Sequence, residues 1–222
     1  MKKLITALAI VSVASMAQAA VIASWTSTSA QNISAAGTTV AETGGYGFGF
    51  EMVSGTGFVA GGTAGNNTIS VSDARLADAA AAYAGGDYVY FTWDVAYTLT
   101  LNSIDGRYSR SAGGAQGAQW GTIISSTWTS IGTAISSIPT ATAGLLPTTT
   151  TFTGVPALTS GQLALAVYSG TTSGNSAWFR FDSRPSSGTA QVTALSIDGT
   201  MTAVPEPATM ALLGLGGLAL AL

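Results

Sequence analysis

Residues 88–102 constrain the fold most strongly, because apolar and polar side chains alternate there with a period of two. The odd positions from Val89 to Leu101 are all apolar or aromatic, whereas the even positions carry mainly tyrosine, threonine and other polar residues. Such alternation predicts a β-strand with one buried face. The segment exceeds the usual strand of about 5–6 residues, so we expect a break or a bulge near residues 94–96. The side chains that we expect to be buried are Val89, Phe91, Trp93 and Leu99.

Shorter alternating segments predict further strands, and Gly- and Pro-rich turns separate them. These segments are residues 21–26, 46–52, 120–125, 127–131, 163–168, 177–182 and 192–202. Residues 104–107 contain the dipeptide Asp105-Gly106, which favours a turn or a strand end.

One helix is predicted at residues 73–84, which are rich in alanine. Ser72 is the expected N-cap, and Gly85-Gly86 would end the helix. The chain is therefore predicted to be all-β, with a two-sheet antiparallel sandwich of jelly-roll type and one short helix.

The composition excludes several classes of function. Only 8% of the residues are charged, against about 25% in an average protein, and the chain has no His and no Cys. A Ser-His-Asp triad, a cysteine nucleophile and a His- or Cys-ligated zinc are thereby excluded. Both lysines, Lys2 and Lys3, lie at the N-terminus. The net charge of −3 and the scarcity of cations argue against nucleic-acid binding.

The N-terminus predicts a secretory signal peptide over residues 1–19. Two lysines precede an apolar segment that is too short for a transmembrane anchor, which needs about 20 residues. Ala17 and Ala19 supply the small residues that signal peptidase requires, so the mature protein is expected to start at Ala20 after export.

The C-terminus combines two prolines with an apolar tail. Val204-Pro205-Glu206-Pro207 precedes residues 208–222, which are predominantly apolar and contain three glycines. The prolines disfavour both strand and helix, so we expect residues 204–207 to be an extended linker. The tail, residues 208–222, is expected to be a helix that is apolar on every face and is held temporarily in a membrane.

This C-terminal end resembles the PEP-CTERM sorting signal, which is found on exported proteins of many Gram-negative bacteria. The resemblance implies recognition of Pro205, Glu206 and Pro207 by an exosortase, a transpeptidase-like integral-membrane enzyme. It further implies removal of the tail and delivery of residues 20–203 to the cell surface or the extracellular matrix.

The body resembles short PEP-CTERM proteins with jelly-roll or galactose-binding-like sandwiches. The similarity is loose and spans most of residues 75–203; it includes residues 78–92, 97–104, 125–131, 163–168 and 179–182. It implies association with exopolysaccharide.

Acidic residues are the candidates for catalysis and for metal binding. Glycoside hydrolysis needs two facing carboxylates, and the possible donors are Glu42, Glu51, Asp94, Asp105, Asp182 and Asp198. None of them lies in a catalytic motif, so we expect no enzymatic activity. No cofactor and no ligand loop are recognisable; a structural calcium ion would use Asp73, Asp182 and Asp198.

Aromatic residues are the better indication of a ligand, because sugars stack on flat apolar rings. Trp178 beside Arg180, and Trp120 and Trp128 near loops, are the candidate glycan-binding residues. Three functions therefore compete: an exported structural protein of the matrix, a carbohydrate-binding module with exposed, coplanar aromatics on one sheet face or loop rim, and, less favoured, a glycoside hydrolase with two carboxylates facing each other in a cleft.

Overall fold

The computed structural model describes residues 20–26, 31–33, 36–58, 68–72, 76–170, 178–182 and 192–205, without the side chains of 31, 32, 68–72 and 178. The predicted signal peptide and the tail from residue 206 onward lie outside these residues. No helix of the described part is long and apolar enough to cross a membrane.

The described residues form a two-sheet sandwich, as predicted. In chain order the strands are β1 Ala20–Trp25, β2 Gln31–Ile33, β3 Thr39–Ala41, β4 Glu51–Ser54, β5 Thr68–Ser72, β6 Tyr88–Thr92, β7 Tyr97–Arg110, β8 Gly117–Ile124, β9 Thr127–Ser130, β10 Leu146–Thr151, β11 Leu163–Tyr168, β12 Trp178–Asp182 and β13 Leu195–Ala203. The seven-stranded sheet has the order β1-β13-β7-β12-β5-β2, and β10 also pairs with β7. The six-stranded sheet has the order β3-β4-β6-β11-β8-β9. Among the named strands, the pairings are antiparallel except that of β2 with β5.

The break predicted in the alternating segment is confirmed. Strand β6 ends at Thr92 and β7 begins at Tyr97, so the chain crosses from one sheet to the other between them. Asp94 closes the turn by accepting a hydrogen bond from the backbone N–H of Ala96 at 2.9 Å. Val95, at the tip, is 82% exposed. The four side chains expected in the core, Val89, Phe91, Trp93 and Leu99, are all buried.

The turn predicted at residues 104–107 is wrong, because β7 continues through it to Arg110. Asp105 and Gly106 pair with β13 on one edge and with β10 on the other, so both edges of β7 are satisfied there. Gly106 is needed for space: a Cβ at this position would overlap the buried ring of Tyr108. The glycine therefore reflects packing within a strand.

The helix is shorter than predicted. Helix α1 spans Ala79–Gly85, and its N-cap is Asp78, which accepts a hydrogen bond from the backbone N–H of Ala81 at 2.9 Å. The predicted cap, Ser72, ends β5 instead. Aspartate is a strong N-cap residue because its carboxylate satisfies a backbone donor of the first turn. Gly86, in the left-handed conformation, ends the helix as expected.

The strand predicted over residues 46–52 begins only at Glu51. Gly45, Gly47 and Gly49 have positive φ angles, so the chain before Phe50 cannot remain a regular strand. Strands β2, β3, β5 and β10 were not predicted from the sequence, because they are short or carry little apolar alternation.

The core lies between the two sheets and is rich in aromatic rings. Trp25 packs edge-on against Phe91, with ring centroids 5.5 Å apart, and Trp120 packs on the same phenylalanine at 5.6 Å. Tyr108 lies 5.7 Å from both Phe179 and Phe181. Because these side chains are almost completely buried, the domain's stability depends on their packing.

Candidate functional site

Two of the predicted glycan-binding residues lie inside the protein. Trp120 is fully buried in the core beneath β8, and Arg180 is only 7% exposed. A sugar cannot stack on Trp120 without unfolding the sandwich, so this part of the prediction is wrong. Trp178 begins β12, where it pairs with Ser72, and its side chain is outside the described part. The predicted pairing of Trp178 with Arg180 therefore provides no accessible cation.

Trp128 alone of the four lies at the surface with a described ring. It is half-buried in β9, and its indole N–H donates a hydrogen bond to the Ser130 hydroxyl at 3.1 Å. The ring lies over Gly121 of β8, where a Cβ would overlap three indole atoms. The missing side chain of Gly121 thus lets the indole rest directly on the sheet.

Trp128 is part of a larger group of rings on the outer face of the six-stranded sheet. Tyr83 of α1 stacks on it, with centroids 5.7 Å apart and planes 24° apart. Tyr83 is 5.1 Å from Tyr88, which is 6.1 Å from Tyr90. Tyr168 of β11 lies over Gly117, as Trp128 lies over Gly121. We call this surface the aromatic face; its residues are Tyr83, Tyr88, Tyr90, Trp128 and Tyr168, all half-buried.

Small residues hold the aromatic face in place. Ala164 of β11 pairs with Tyr90 on one neighbouring strand and with Gly121 on the other, and Ala166 pairs with Tyr88. Helix α1 packs against Ala166 through its own alanines. Apart from Gln119, which pairs with Ala166, the outward residues at the centre of the sheet are alanines and glycines, so rings from both flanks can fold over it.

Among the described residues, no arginine or lysine lies on the strands or the helix that carry the aromatic face, and Arg75 and Arg184 are outside the described part. Within the described residues the arginines are Arg107, Arg110 and Arg180, and all three belong to β7 or β12 of the seven-stranded sheet. Carboxylates of Glu51, Asp78 and Asp87 lie on the strands, helix and turn that carry or flank the rings.

Two tyrosines of this face, Tyr88 and Tyr168, have a raised pKa and remain protonated at physiological pH. Burial raises the pKa of Tyr88, and the neighbouring phenols of Tyr83 and Tyr90 raise it further. Burial also raises the pKa of Tyr168, with the charge of Asp78 adding to the effect. The phenol hydroxyls of Tyr88 and Tyr168 are therefore neutral groups that can both donate and accept hydrogen bonds. The sequence contains a signal for this surface, although the prediction of glycan-binding residues missed it. Tyr88 and Tyr90 occupy the polar positions of the alternating segment, which face outward.

A cleft of about 440 Å³ opens beside β9; its lining includes Ser130, the hydrogen-bond partner of Trp128, but not Trp128 itself. Its lining is uncharged and combines hydroxyls with apolar groups. The residues that define it include Thr129, Thr151, Phe152, Val155 and Pro156.

The candidate carboxylates are mostly scattered, with one close pair. Asp105 and Asp198 lie near each other on the outer side of the seven-stranded sheet: burial and the charge of Asp105 raise the pKa of Asp198. Asp105 also accepts a hydrogen bond from the Thr149 hydroxyl. The pair lies on a strand surface next to a shallow depression that includes Asp105 but not Asp198.

The three aspartates suggested for calcium do not form one site. Asp182 is buried and accepts a hydrogen bond from the Ser109 hydroxyl at 3.0 Å. Asp198 pairs with Ser103, which lies several residues from Ser109 along β7. At ~3.3 Å per residue, the two aspartates are therefore more than ~10 Å apart. A calcium ion requires oxygen ligands at about 2.3–2.6 Å, which this separation prevents. Asp73 lies outside the described residues, and no group of three potential acidic, His or Cys ligands occurs within them.

The sorting tail leaves the sandwich at the end of β13. Ala203 pairs with Tyr97, and the backbone N–H of Val204 donates to the carbonyl of Ala96 at 2.7 Å. Pro205 follows, is exposed, and has no N–H with which to continue the ladder. The sheet therefore ends immediately before the Pro-Glu-Pro tripeptide, and Glu206 and Pro207 lie outside the described residues.

Residues 203–222 match the model of the PEP-CTERM protein-sorting motif. The chain is thus an exported bacterial protein sorted by an exosortase. A signal peptide, as predicted for residues 1–19, is what such sorting implies. No curated protein and no solved structure matches the chain. The resemblance of the body to jelly-roll or galactose-binding-like sandwiches stays a prediction, whereas the two-sheet β-sandwich itself is confirmed.

Proposed function

We propose that this chain is a non-enzymatic protein of the outer cell surface or extracellular matrix of a Gram-negative bacterium, where it associates with exopolysaccharide. The observation that carries the proposal is the position of the sorting motif. It begins where β13 ends, next to the exposed turn between β6 and β7, so a membrane enzyme can reach it while the sandwich stays folded.

The tail is suited to a temporary hold in the membrane. Residues 208–222 would form a helix of about 22 Å, shorter than the ~30 Å hydrocarbon core. We infer that the export machinery and signal peptidase deliver the chain, that the tail stays in the bilayer, and that exosortase cuts near Pro205-Glu206-Pro207. The released product would be the sandwich.

The distribution of acidic groups supports a role without catalysis. Glycoside hydrolysis needs two carboxylates on either side of a bound sugar. The one close pair found, Asp105 and Asp198, projects from neighbouring strands. A hydrolase is therefore the least favoured function.

The aromatic face favours a carbohydrate-binding module as the second candidate. Exposed, coplanar aromatics on one sheet face or loop rim would distinguish such a module from a purely structural protein, and the aromatic face supplies half-buried rings on one sheet face. This candidate is compatible with the first, since a matrix protein that associates with polysaccharide needs a surface that contacts it.

Replacing Pro205, Glu206 and Pro207 together by alanine tests the sorting. The variant should accumulate in the membrane fraction with its tail attached, whereas the wild type should lose the tail and leave the membrane. Mass spectrometry of the C-terminus and fractionation measure both outcomes.

A matched control carries Thr100→Ala and Thr202→Ala, two exposed positions on paired strands of the same sheet. It should be processed like the wild type. Normal processing and release of the Pro-Glu-Pro variant would show that sorting does not depend on this tripeptide.

A further inference from the structure

We propose that the aromatic face, formed by Tyr83, Tyr88, Tyr90, Trp128 and Tyr168, binds an uncharged polysaccharide. This inference rests on the proposed association with exopolysaccharide and names its site and the class of glycan.

The rings offer a surface of the right chemistry. Sugar rings present apolar C–H faces and polar hydroxyl edges, and tyrosine and tryptophan match both through their apolar bodies and polar groups. Trp128, Tyr83, Tyr88 and Tyr90 follow one another at 5.7, 5.1 and 6.1 Å, with successive ring planes inclined by 24°, 45° and 44°, so they form one continuous, curved patch. Several sugars of one chain can therefore contact the face together.

The supports of these rings argue for a surface that is fixed before binding. Trp128 and Tyr168 lie on glycines, and Tyr83 is carried by a helix that packs on Ala166. A ring that is already ordered loses little conformational entropy when a ligand binds, which favours affinity.

The charges select the class of glycan. Acidic polysaccharides carry carboxylate or sulfate groups and are usually bound by arginine or lysine. The described arginines lie on the other sheet, while Glu51, Asp78 and Asp87 lie on elements that carry or flank the aromatic face, and the charge of Asp78 acts on Tyr168. These carboxylates would repel an anionic chain. An uncharged polysaccharide is therefore the ligand that fits both the aromatic rings and the negative charges near them.

Affinity electrophoresis of the protein obtained by expressing the full chain tests the proposal. The gels contain hydroxyethylcellulose, dextran or galactomannan as neutral probes, or alginate as the anionic probe. We expect retardation by at least one neutral polymer, little by alginate, and little change between ~50 and ~500 mM NaCl, because contacts with an uncharged ligand are not screened.

The variants are Trp128→Ala and Tyr90→Ala, which remove rings from two different strands. Tyr46→Ala is the matched control, since Tyr46 is 41% exposed and lies outside the aromatic face. Each face variant should weaken binding about 3- to 10-fold, equivalent to about 0.6–1.4 kcal/mol. The control should bind like the wild type, and thermal unfolding of all three identifies any variant that is misfolded.

The outcomes separate this inference from the proposed function. Binding that survives in both folded face variants, for example because the glycan occupies the cleft beside β9, would overturn the inference and leave the association with polysaccharide standing. Preference for alginate would likewise contradict only the choice of an uncharged ligand. A wild-type protein that binds none of the probes, nor polysaccharide extracted from the producing cells, would contradict the association itself.

Discussion

Replacing Gly106 by alanine should destabilise the sandwich, although the Asp-Gly dipeptide looks like a turn in the sequence. A Cβ at this position would overlap three atoms of the Tyr108 side chain, including its hydroxyl oxygen. The ring cannot easily move, because it is fully buried and packs on Phe179 and Phe181 with centroids 5.7 Å away.

The expected cost follows from two opposing effects. Overpacking a well-filled core costs about 1–3 kcal/mol, and replacing glycine by alanine within a strand returns about 0.5–1 kcal/mol. Mid-range values of about 2 and about 0.75 kcal/mol give a net loss of about 1.3 kcal/mol, which should lower Tm by roughly 3–5 °C in a domain of this size, at about 2–4 °C per kcal/mol. Thermal unfolding followed by near-UV circular dichroism, which reports on the buried aromatic rings, measures the change.

A second substitution identifies the cause. In a Tyr108→Leu background the added methyl group has no ring to overlap, so Gly106→Ala should cost clearly less there than in the wild type. Thr100→Ala, an exposed change on the same strand, is the control and should shift Tm little. An unchanged or raised Tm for Gly106→Ala would refute the packing argument, and equal costs in both backgrounds would show that Tyr108 is not the obstacle.

Three further predictions concern the surface and the ends of the domain. Burial and the charge of Asp105 raise the pKa of Asp198 above its ordinary value of 3.8. The stability that the protonated Asp198 carboxyl contributes is therefore complete below pH 3.8 and is lost as the pH rises through the raised pKa. Asp198→Asn should therefore raise Tm at pH 7 and flatten its dependence on pH; a lower Tm would contradict the sign. Gly121→Ala should push the Trp128 indole off the sheet and weaken neutral-glycan binding with little loss of Tm, which affinity electrophoresis and thermal unfolding measure. Mass spectrometry of the exported protein should find Ala20 at the N-terminus, and retention of Met1 on the exported protein would contradict it.

The strands were predictable from the sequence wherever one face of the strand is buried and the other is exposed. Strands β6 and the start of β7 lie between core and surface, so the alternation of residues 88–102 shows both strands and the break between them. Strand β8 differs, because its first six residues are all buried: the core covers one face and aromatic rings cover the other. A strand covered on both faces has no alternation, so Trp120, predicted at the start of a strand beside a loop, was a candidate for binding sugar although it lies in the core.

The remaining errors arose where the partner of a residue is distant in sequence. Asp105-Gly106 has the composition of a turn, and only its pairing with β10 and β13 keeps it extended. Strand β10 consists of Leu, Pro and four threonines, and it is ordered by its pairing with β7. Among the named strands, β10 pairs only with β7, so its other edge forms no hydrogen bonds to a neighbouring strand. Proline is tolerated in such an edge strand.

The glycines explain why the candidate site could be found only in part. Gly117 and Gly121 stand four residues apart on β8, where the sequence offers no hint of what lies above them. Their partners, Tyr168 and Trp128, come from the two neighbouring strands. Trp128 was recognised as a possible contact for sugar, but the face to which it belongs requires the register of four strands and the position of α1.

The sorting tail and helix α1, which carries Tyr83 of the aromatic face, lie at opposite ends of β6. The sorting tail leaves the sandwich beside Ala96, in the turn that follows the strand, whereas Tyr83 and α1 precede it. Five residues of β6 separate these ends by roughly 16 Å at ~3.3 Å per residue. None of the rings of the aromatic face belongs to residues 203–222. Removal of the tail therefore leaves the proposed glycan-binding surface intact, and a protein held at the membrane and a protein released into the matrix would present the same aromatic face.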